Sequence, residues 1–288
     1  MDVLINELSL HKQFVSINDF IEKSLPEFVK IFSFLYGIEN YPLKKYNFYD
    51  CFITQQDTFH SLITNKSIFR ISDYIRKYKT TLDKIQNEPF WEDDRKHDSQ
   101  TFYLWNGEIV TDSSIAESFE REASLLSFSP SIFEINSLEI SKEETLKRQI
   151  PNFFHLKSIL NYFYESQNLS FYQFCKSYYK NSKLSFEFVN KTESFELISD
   201  ENDEKQFLHS FNLFCEMSWH DIISQGGKGP NKVGLAYSTY HNQAAFKKYN
   251  LNCNIDKFRC TQKYRVFGFR KGDTFYVLEF DLTHRLSD

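Results

Sequence analysis

Two residues near the C-terminus have the types that phosphodiester cleavage uses. Arg265 lies in an alternating aromatic stretch, Lys263 to Phe269, and His284 follows a second such stretch, Thr274 to Asp281. A guanidinium stays charged at any physiological pH, and an imidazole exchanges a proton near neutrality. RNA attacked by its own 2′-OH passes through a phosphorane carrying extra negative charge and expels a 5′-oxygen that needs a proton. Arg265 suits the first task and His284 the second, with no metal and no cofactor required. Lys247, Lys248, Lys257, Arg259, Lys263, Arg270 and Lys271 crowd the same stretch. As a set they read as a phosphate-tracking, RNA-binding face. Blander readings stand beside these. Arg265 alternates with Phe267 and Phe269, so it can snorkel along a half-buried face. His284 can be a surface residue of a loose terminus, and the basic set a solvated face.

Other constellations promise less. Glu92, Asp93, Asp94 and His97 are types that bind metals and would suit a metal-dependent DNA nuclease. However, consecutive carboxylates point in different directions, so a loop anchored by Phe90 and Trp91 is the expectation and no metal site is assigned. Gln225-Gly-Gly-Lys-Gly-Pro230 has neither the spacing nor the strand-to-helix setting of a phosphate loop. Tyr276 reads as a sheet residue, and His220 as a helix-end residue near a favourable dipole.

Periodicity supplies the elements that must hold these residues. A strand is expected over Val3 to Leu10. An apolar stripe of Ile21, Leu25, Phe28, Phe32 and Leu35 predicts a helix, capped at Asn18-Asp19, that kinks or restarts near Pro26 and ends at Gly37. Tyr46 to Ile53 is strand-like and Asp57 to Ile63 a short helix. The clearest helical period runs from Ser67 to Asn87. Thr101 to Trp105 and Glu108 to Val110, joined by Asn106-Gly107, form a hairpin with a type I′ turn. Asp112-Ser113-Ser114 caps a helix to Ala123. Strands follow at Leu125 to Phe128 and Ile132 to Ile140. The charged segment Ser141 to Ile150 reads as helical, as do Phe154 to Ser166 and Ser170 to Tyr179, with a strand at Lys183 to Val189. The acidic run Ser199 to Lys205 marks a boundary before a helix over Glu204 to Ile223. A strand at Val233 to Ser238 and a short helix at Gln243 to Tyr249 are expected before the final hairpin, which turns at Arg270-Lys271-Gly272-Asp273.

The chain has 288 residues, 41% hydrophobic and 25% charged, enough for a sizeable core in one or two domains. The 31 Phe and 17 Tyr, with many Lys, Asn and Ile, match the codon bias of an AT-rich genome better than an aromatic binding platform. Five scattered Cys without CxxC spacing argue against a disulfide scaffold. No leader pattern and no run of 18 apolar residues occurs, so a cytoplasmic protein without a membrane partner is expected. The net charge of -5 is uneven. From Gln206 onward eleven Lys/Arg face seven Asp/Glu, whereas the first 205 residues are acidic. A basic C-terminal piece on an acidic body either meets a polyanion or neutralises that body in cis.

Tyr264-Arg265-Val266-Phe267-Gly268-Phe269, the turn at Lys271-Gly272-Asp273, Phe275-Tyr276-Val277-Leu278 and Asp281-Leu-Thr-His284 resemble the RelE/YoeB-like bacterial toxins. These are small ribonucleases with an antiparallel sheet packed on helices. The resemblance covers about 80 residues. It implies that Arg265 contacts the scissile phosphate and that His284 moves a proton, while it places no acidic general base. Asn6 to Leu10, Pro89 to Arg95 and Asn106 to Ser113 resemble a group of uncharacterised bacterial proteins for which a link to phage defence is suggested.

The combined expectation is an α+β protein with a larger mixed N-terminal domain, residues 1–200, and a small antiparallel-sheet-plus-helices domain, residues 201–288. The second would be a metal-independent endoribonuclease of a toxin or antiviral defence system. The first would restrain it or dock an inhibitory or sensor protein. The alternative is a non-catalytic defence subunit whose basic hairpin binds nucleic acid or protein.

Overall fold

The computed structural model describes residues 1–64, 73–129, 132–224 and 234–286. The fold is α+β, with two sheets in two compact units, Met1–Ile159 and Leu160–Asp288.

In the first unit β1 (Val3–Ile5) gives way to a 3-10 turn at Glu7–Ser9 rather than continuing to Leu10. α1 (Ile17–Lys23) is capped by the Ser16 hydroxyl, which accepts from Asp19 N–H, two residues before the expected cap at Asn18. The chain breaks at Ser24. α2 (Leu25–Gly37) then restarts with Pro26 in its first turn, where no intrahelical N–H is needed. Tyr46 to Ile53 is no strand. It folds as irregular chain with a 3-10 turn at Phe48–Asp50, because Phe48 is drawn into an aromatic cluster with Phe59 and Phe128. α3 (Phe59–Thr64) and α4 (Asp73–Ile85) follow; the start of the expected Ser67 helix lies outside the described residues.

The hairpin β2 (Tyr103–Trp105) and β3 (Glu108–Ile109) turns at Asn106 and Gly107, both with positive φ, as a type I′ turn requires. α5 (Ser114–Arg121), β4 (Ser124–Leu126), β5 (Ser137–Lys142) and β6 (Leu146–Phe153) complete the unit. The charged segment Ser141 to Ile150 is therefore a strand hairpin and not a helix. Its Lys147 pairs across the strands with Glu139 at 2.7 Å, while Ile140 and Ile150 face the core. Cross-strand pairing and one buried face override local helix propensity. The sheet order is β1-β4-β6-β5-β2-β3, with β1, β4 and β6 parallel and the rest antiparallel. Ile115, Ala116 and Phe119 of α5 pack on Leu125, Leu138, Ile140 and Ile150 of this sheet.

α6 (Leu156–Glu165) carries the division between the units, about forty residues earlier than the expected boundary. The acidic run at Ser199 is instead the capped start of a helix deep inside the second unit. That unit holds α7 (Phe171–Tyr178), β7 (Leu184–Ser185), α8 (Glu201–Glu216), α9 (Trp219–Ser224), β8 (Ser238–Thr239), a 3-10 helix at Gln243–Tyr249, β9 (Asp256–Arg259), β10 (Arg265–Lys271) and β11 (Thr274–Asp281). The expected long helix Glu204 to Ile223 is thus two, broken at Met217-Ser218. The sheet order is β7-β11-β10-β9-β8, antiparallel except that β7 runs parallel to β11. Because β7 pairs with β11 and Phe195 packs on Phe280, residues 160–200 belong to this unit.

Phe207, Phe211 and Phe214 of α8 cover one face of the sheet through Phe258, Phe275 and Phe280. Tyr240 and Phe246 cover part of the other through Phe267.

Candidate nucleic-acid interface

Register decides which charged side chains meet. In β10, Val266 pairs with Phe258 and Phe280, which face α8, whereas Phe267 meets Tyr240 and Phe246 on the opposite face. Side chains alternate along a strand, so Arg265 shares the face of Phe267 and turns away from α8. Arg265 lies opposite Arg259 on one side and Asp281 on the other, making a three-strand row Arg259–Arg265–Asp281. A second row runs Lys257–Phe267–Glu279. The Lys257 ammonium sits 5.2 Å from the Tyr240 ring centre.

Arg265 is half-buried. Its Nη1 donates to the carbonyls of Thr261, Gln262 and Tyr264 at 3.0, 3.1 and 3.0 Å, so the turn fixes the guanidinium plane. Its Nε and Nη2 make no hydrogen bond to a described residue. Burial lowers its pKa from the ordinary value, and Arg259 beside it adds to the effect while Asp281 opposes it. Arg259 Nε is buried with no hydrogen-bond partner. The unspent donors of Arg265, beside a second guanidinium charge, suit a phosphate, whose oxygens are acceptors only.

Asp281 reaches the other end of the row. Its carboxylate, 2% exposed, accepts from Arg285 N–H and Leu286 N–H at 2.9 Å each and from Thr283 N–H at 3.3 Å. Those bonds wind the chain after β11 into a turn that contains His284, exposed and at φ 61°. Asp281 therefore neighbours Arg265 across the sheet and caps the turn that carries His284.

The basic set does not act as one face. Arg270 pairs with Phe275, on the α8 side. It lies over the Trp219 ring at 3.8 Å and donates to Gly272 O, at the far end of the hairpin. Lys271 is exposed beside that turn and Lys263 lies exposed in the loop before β10. Lys248 is paired with Glu279, which is 2% exposed and also accepts from Tyr249 OH at 2.7 Å. Arg285 reaches the same carboxylate at 3.5 Å and Glu193 at 2.6 Å. Lys247 is exposed on the 3-10 helix. Geometry thus assembles Lys257, Arg259 and Arg265 and separates Arg270 and Lys271 from them.

Glu92, Asp93, Asp94 and His97 do not converge. Glu92 accepts from Tyr46 N–H and Asp93 from Tyr46 OH, while Asp94 pairs with Lys96 at 2.7 Å. His97 turns inward, its Nδ1 2.6 Å from Glu117 and its Nε2 3.2 Å from Asp112. No group of acids, His and Cys fit to hold a metal occurs among the described residues. Trp91 is fully buried and bonds Ser114 Oγ, the anchoring expected of this loop. No described helix is long and apolar enough to cross a membrane, and the five cysteines are unpaired in disulfides.

Asp281 and Glu279 escaped the sequence reading. An Asp at a strand end before a polar turn is an Asx-turn signature and could have marked Asp281. Glu279 was legible only as an acid interrupting an aromatic strand. Compared with known protein families, curated proteins and solved structures, the chain matches none.

Proposed function

We propose that the second unit is a metal-independent endoribonuclease of the toxin or antiviral defence kind, with the phosphate held at the Arg259–Arg265 row. The observation that carries this reading is that row, with Asp281 linking Arg265 to the turn of His284. As the 2′-oxygen attacks phosphorus, its proton leaves to solvent and negative charge grows on the non-bridging oxygens. The fixed guanidinium of Arg265, with the positive charge of Arg259 beside it, stabilises that charge. The P–O5′ bond breaks and His284 delivers a proton to the departing oxygen. The products are a 2′,3′-cyclic phosphate and a 5′-hydroxyl end. The first unit would then restrain the nuclease or dock an inhibitory or sensor partner.

The test is to induce wild type, Arg265→Ala and His284→Ala in bacteria and map 5′-hydroxyl RNA ends. New ends and growth arrest from the wild type alone are expected. The purified protein should also cut RNA in the presence of a chelator. Identical RNA ends from wild type and folded variants would overturn the reading.

One observation favours a second reading. Nη1 of Arg265 is spent on three carbonyls, which suits a residue that builds a binding surface as well as one that does chemistry. A non-catalytic nucleic-acid-binding subunit would show Arg265-dependent RNA affinity and no new ends.

A further inference from the structure

A pocket of about 330 Å³ lies between the 3-10 helix Gln243–Tyr249 and the start of β9. Phe246 and Ile255, 3% and 2% exposed, form its apolar base with Leu251. Gln243 braces one wall: its Oε1 accepts from Ile255 N–H at 3.0 Å and its amide nitrogen donates to Tyr240 O. The rim carries Asn252, Cys253, Asn254 and Lys247, all exposed. The side-chain amides of Asn252 and Asn254 make no hydrogen bond to a described residue.

Each unspent amide offers one acceptor and a donor pair. A phosphate presents acceptors only, and an aliphatic chain neither. A nucleobase edge presents both, and its flat face suits an apolar base layer. The pocket also connects to the phosphate row. β9 leads directly from Ile255 at the pocket through Lys257 to Arg259, about 13 Å at strand rise. Resting on the function proposed above, we propose that this pocket receives one unstacked base of the RNA strand whose backbone lies along Lys257, Arg259 and Arg265. The nuclease then reads sequence at that position, with Lys247 at the mouth for the adjoining phosphate.

The test uses four uniform 2′-O-methyl oligoribonucleotides, one per base, which cannot be cut through a 2′-OH. Affinity is read by fluorescence anisotropy, and alkylation of Cys253 by iodoacetamide is read by peptide mass spectrometry. Cys253 is the one exposed thiol among the five cysteines. The wild type should favour one base by about tenfold, the size of a base-edge contact, and that oligonucleotide should slow Cys253 alkylation. Asn252→Ala/Asn254→Ala should bind all four alike, lose the protection, and keep its salt-dependent affinity and thermal melt. Equal affinities in the wild type, a preference that survives in the double variant, or undiminished Cys253 alkylation at saturation would each overturn the pocket. Base preference without cleavage of ordinary RNA would sink the ribonuclease reading alone. Cleavage without preference would sink only the pocket, and no binding of any oligonucleotide would sink both.

Discussion

In the first unit, Glu117 is wholly enclosed and every neighbour serves it: Lys96 and His97 donate from the backbone, His97 from its ring and Arg121 Nε at 2.5 Å. In the second unit, Arg265 is half-exposed and keeps donors in reserve beside an Arg259 whose Nε has no partner. Both clusters mix guanidinium and carboxylate. The first is closed: its charges are satisfied by one another, and a ligand would have to displace a protein bond. The second is open and carries like charges side by side across two strands, an arrangement that destabilises an empty sheet and is relieved by an anion. Satisfied ionic groups specify a fold, and unsatisfied ones are where a ligand gains most.

Removing Glu117 breaks that contrast most severely. Glu117→Ala leaves His97 and Arg121 facing an empty buried site and should cost about 3–5 kcal/mol. Urea unfolding followed through Trp91 and Trp105, both in this unit, would show it. The corresponding Arg265→Ala should change stability by only about 1 kcal/mol while lowering RNA cleavage by about 10²-fold. A variant pair with the reverse pattern would mean that the open row is structural and the closed one functional.

Acid sharpens the same comparison. Burial alone would push the Glu117 carboxyl up, but the His97, Arg121 and Lys96 hydrogen bonds outweigh it and hold it at about 2. A carboxyl depressed in the folded state gives stability that is complete above its unfolded value near 4.3 and fades as pH falls toward 2. The stability gap between wild type and Glu117→Gln should therefore shrink by roughly 3 kcal/mol between pH 5 and pH 2. A gap that stays constant across that range would show that Glu117 is not held ionised.

The open row was half legible in the sequence, the closed cluster hardly at all. Arg265 and the hairpin announced themselves through alternation and a Gly-Asp turn, and these are local patterns. The partner strand β9 carries only Asp-Lys-Phe-Arg, too short to read alone, so its pairing with Arg265 and the isolation of Arg270 needed three dimensions. His97 meets Glu117 across 20 residues, a contact that no spacing predicts. The Ser141 to Ile150 segment misled because its Lys and Glu favour a helix in isolation, whereas Glu143 and Glu144 form the turn between β5 and β6 and Lys147 is exposed, with Ile140 and Ile150 turned to the core. The boundary misled for a related reason. An acidic run reads as a linker, yet acids at Glu201, Asp203 and Glu204 are what the positive end of a helix dipole favours.

Within the open row, Arg259 supplies a finer test. If it holds a phosphate, Arg259→Ala should weaken binding to every RNA sequence alike and lower the slope of log affinity against log salt by about 1.

Arg270→Ala gives the smallest effect and the sharpest boundary to the site. Arg270 belongs to the same strand as Arg265 and to the same basic stretch of sequence, but its guanidinium lies on Trp219 on the α8 side. Its loss removes a half-exposed cation–π contact and should lower stability by about 0.5–1 kcal/mol. RNA affinity, salt slope and cleavage should stay at wild-type values. The expected shift is visible in Trp219 fluorescence and in a melt. If Arg270→Ala instead reduced RNA binding as much as Arg259→Ala does, the phosphate path would follow charge along the hairpin rather than the row across the sheet. The assignment of Lys257, Arg259 and Arg265 as one surface would then be wrong.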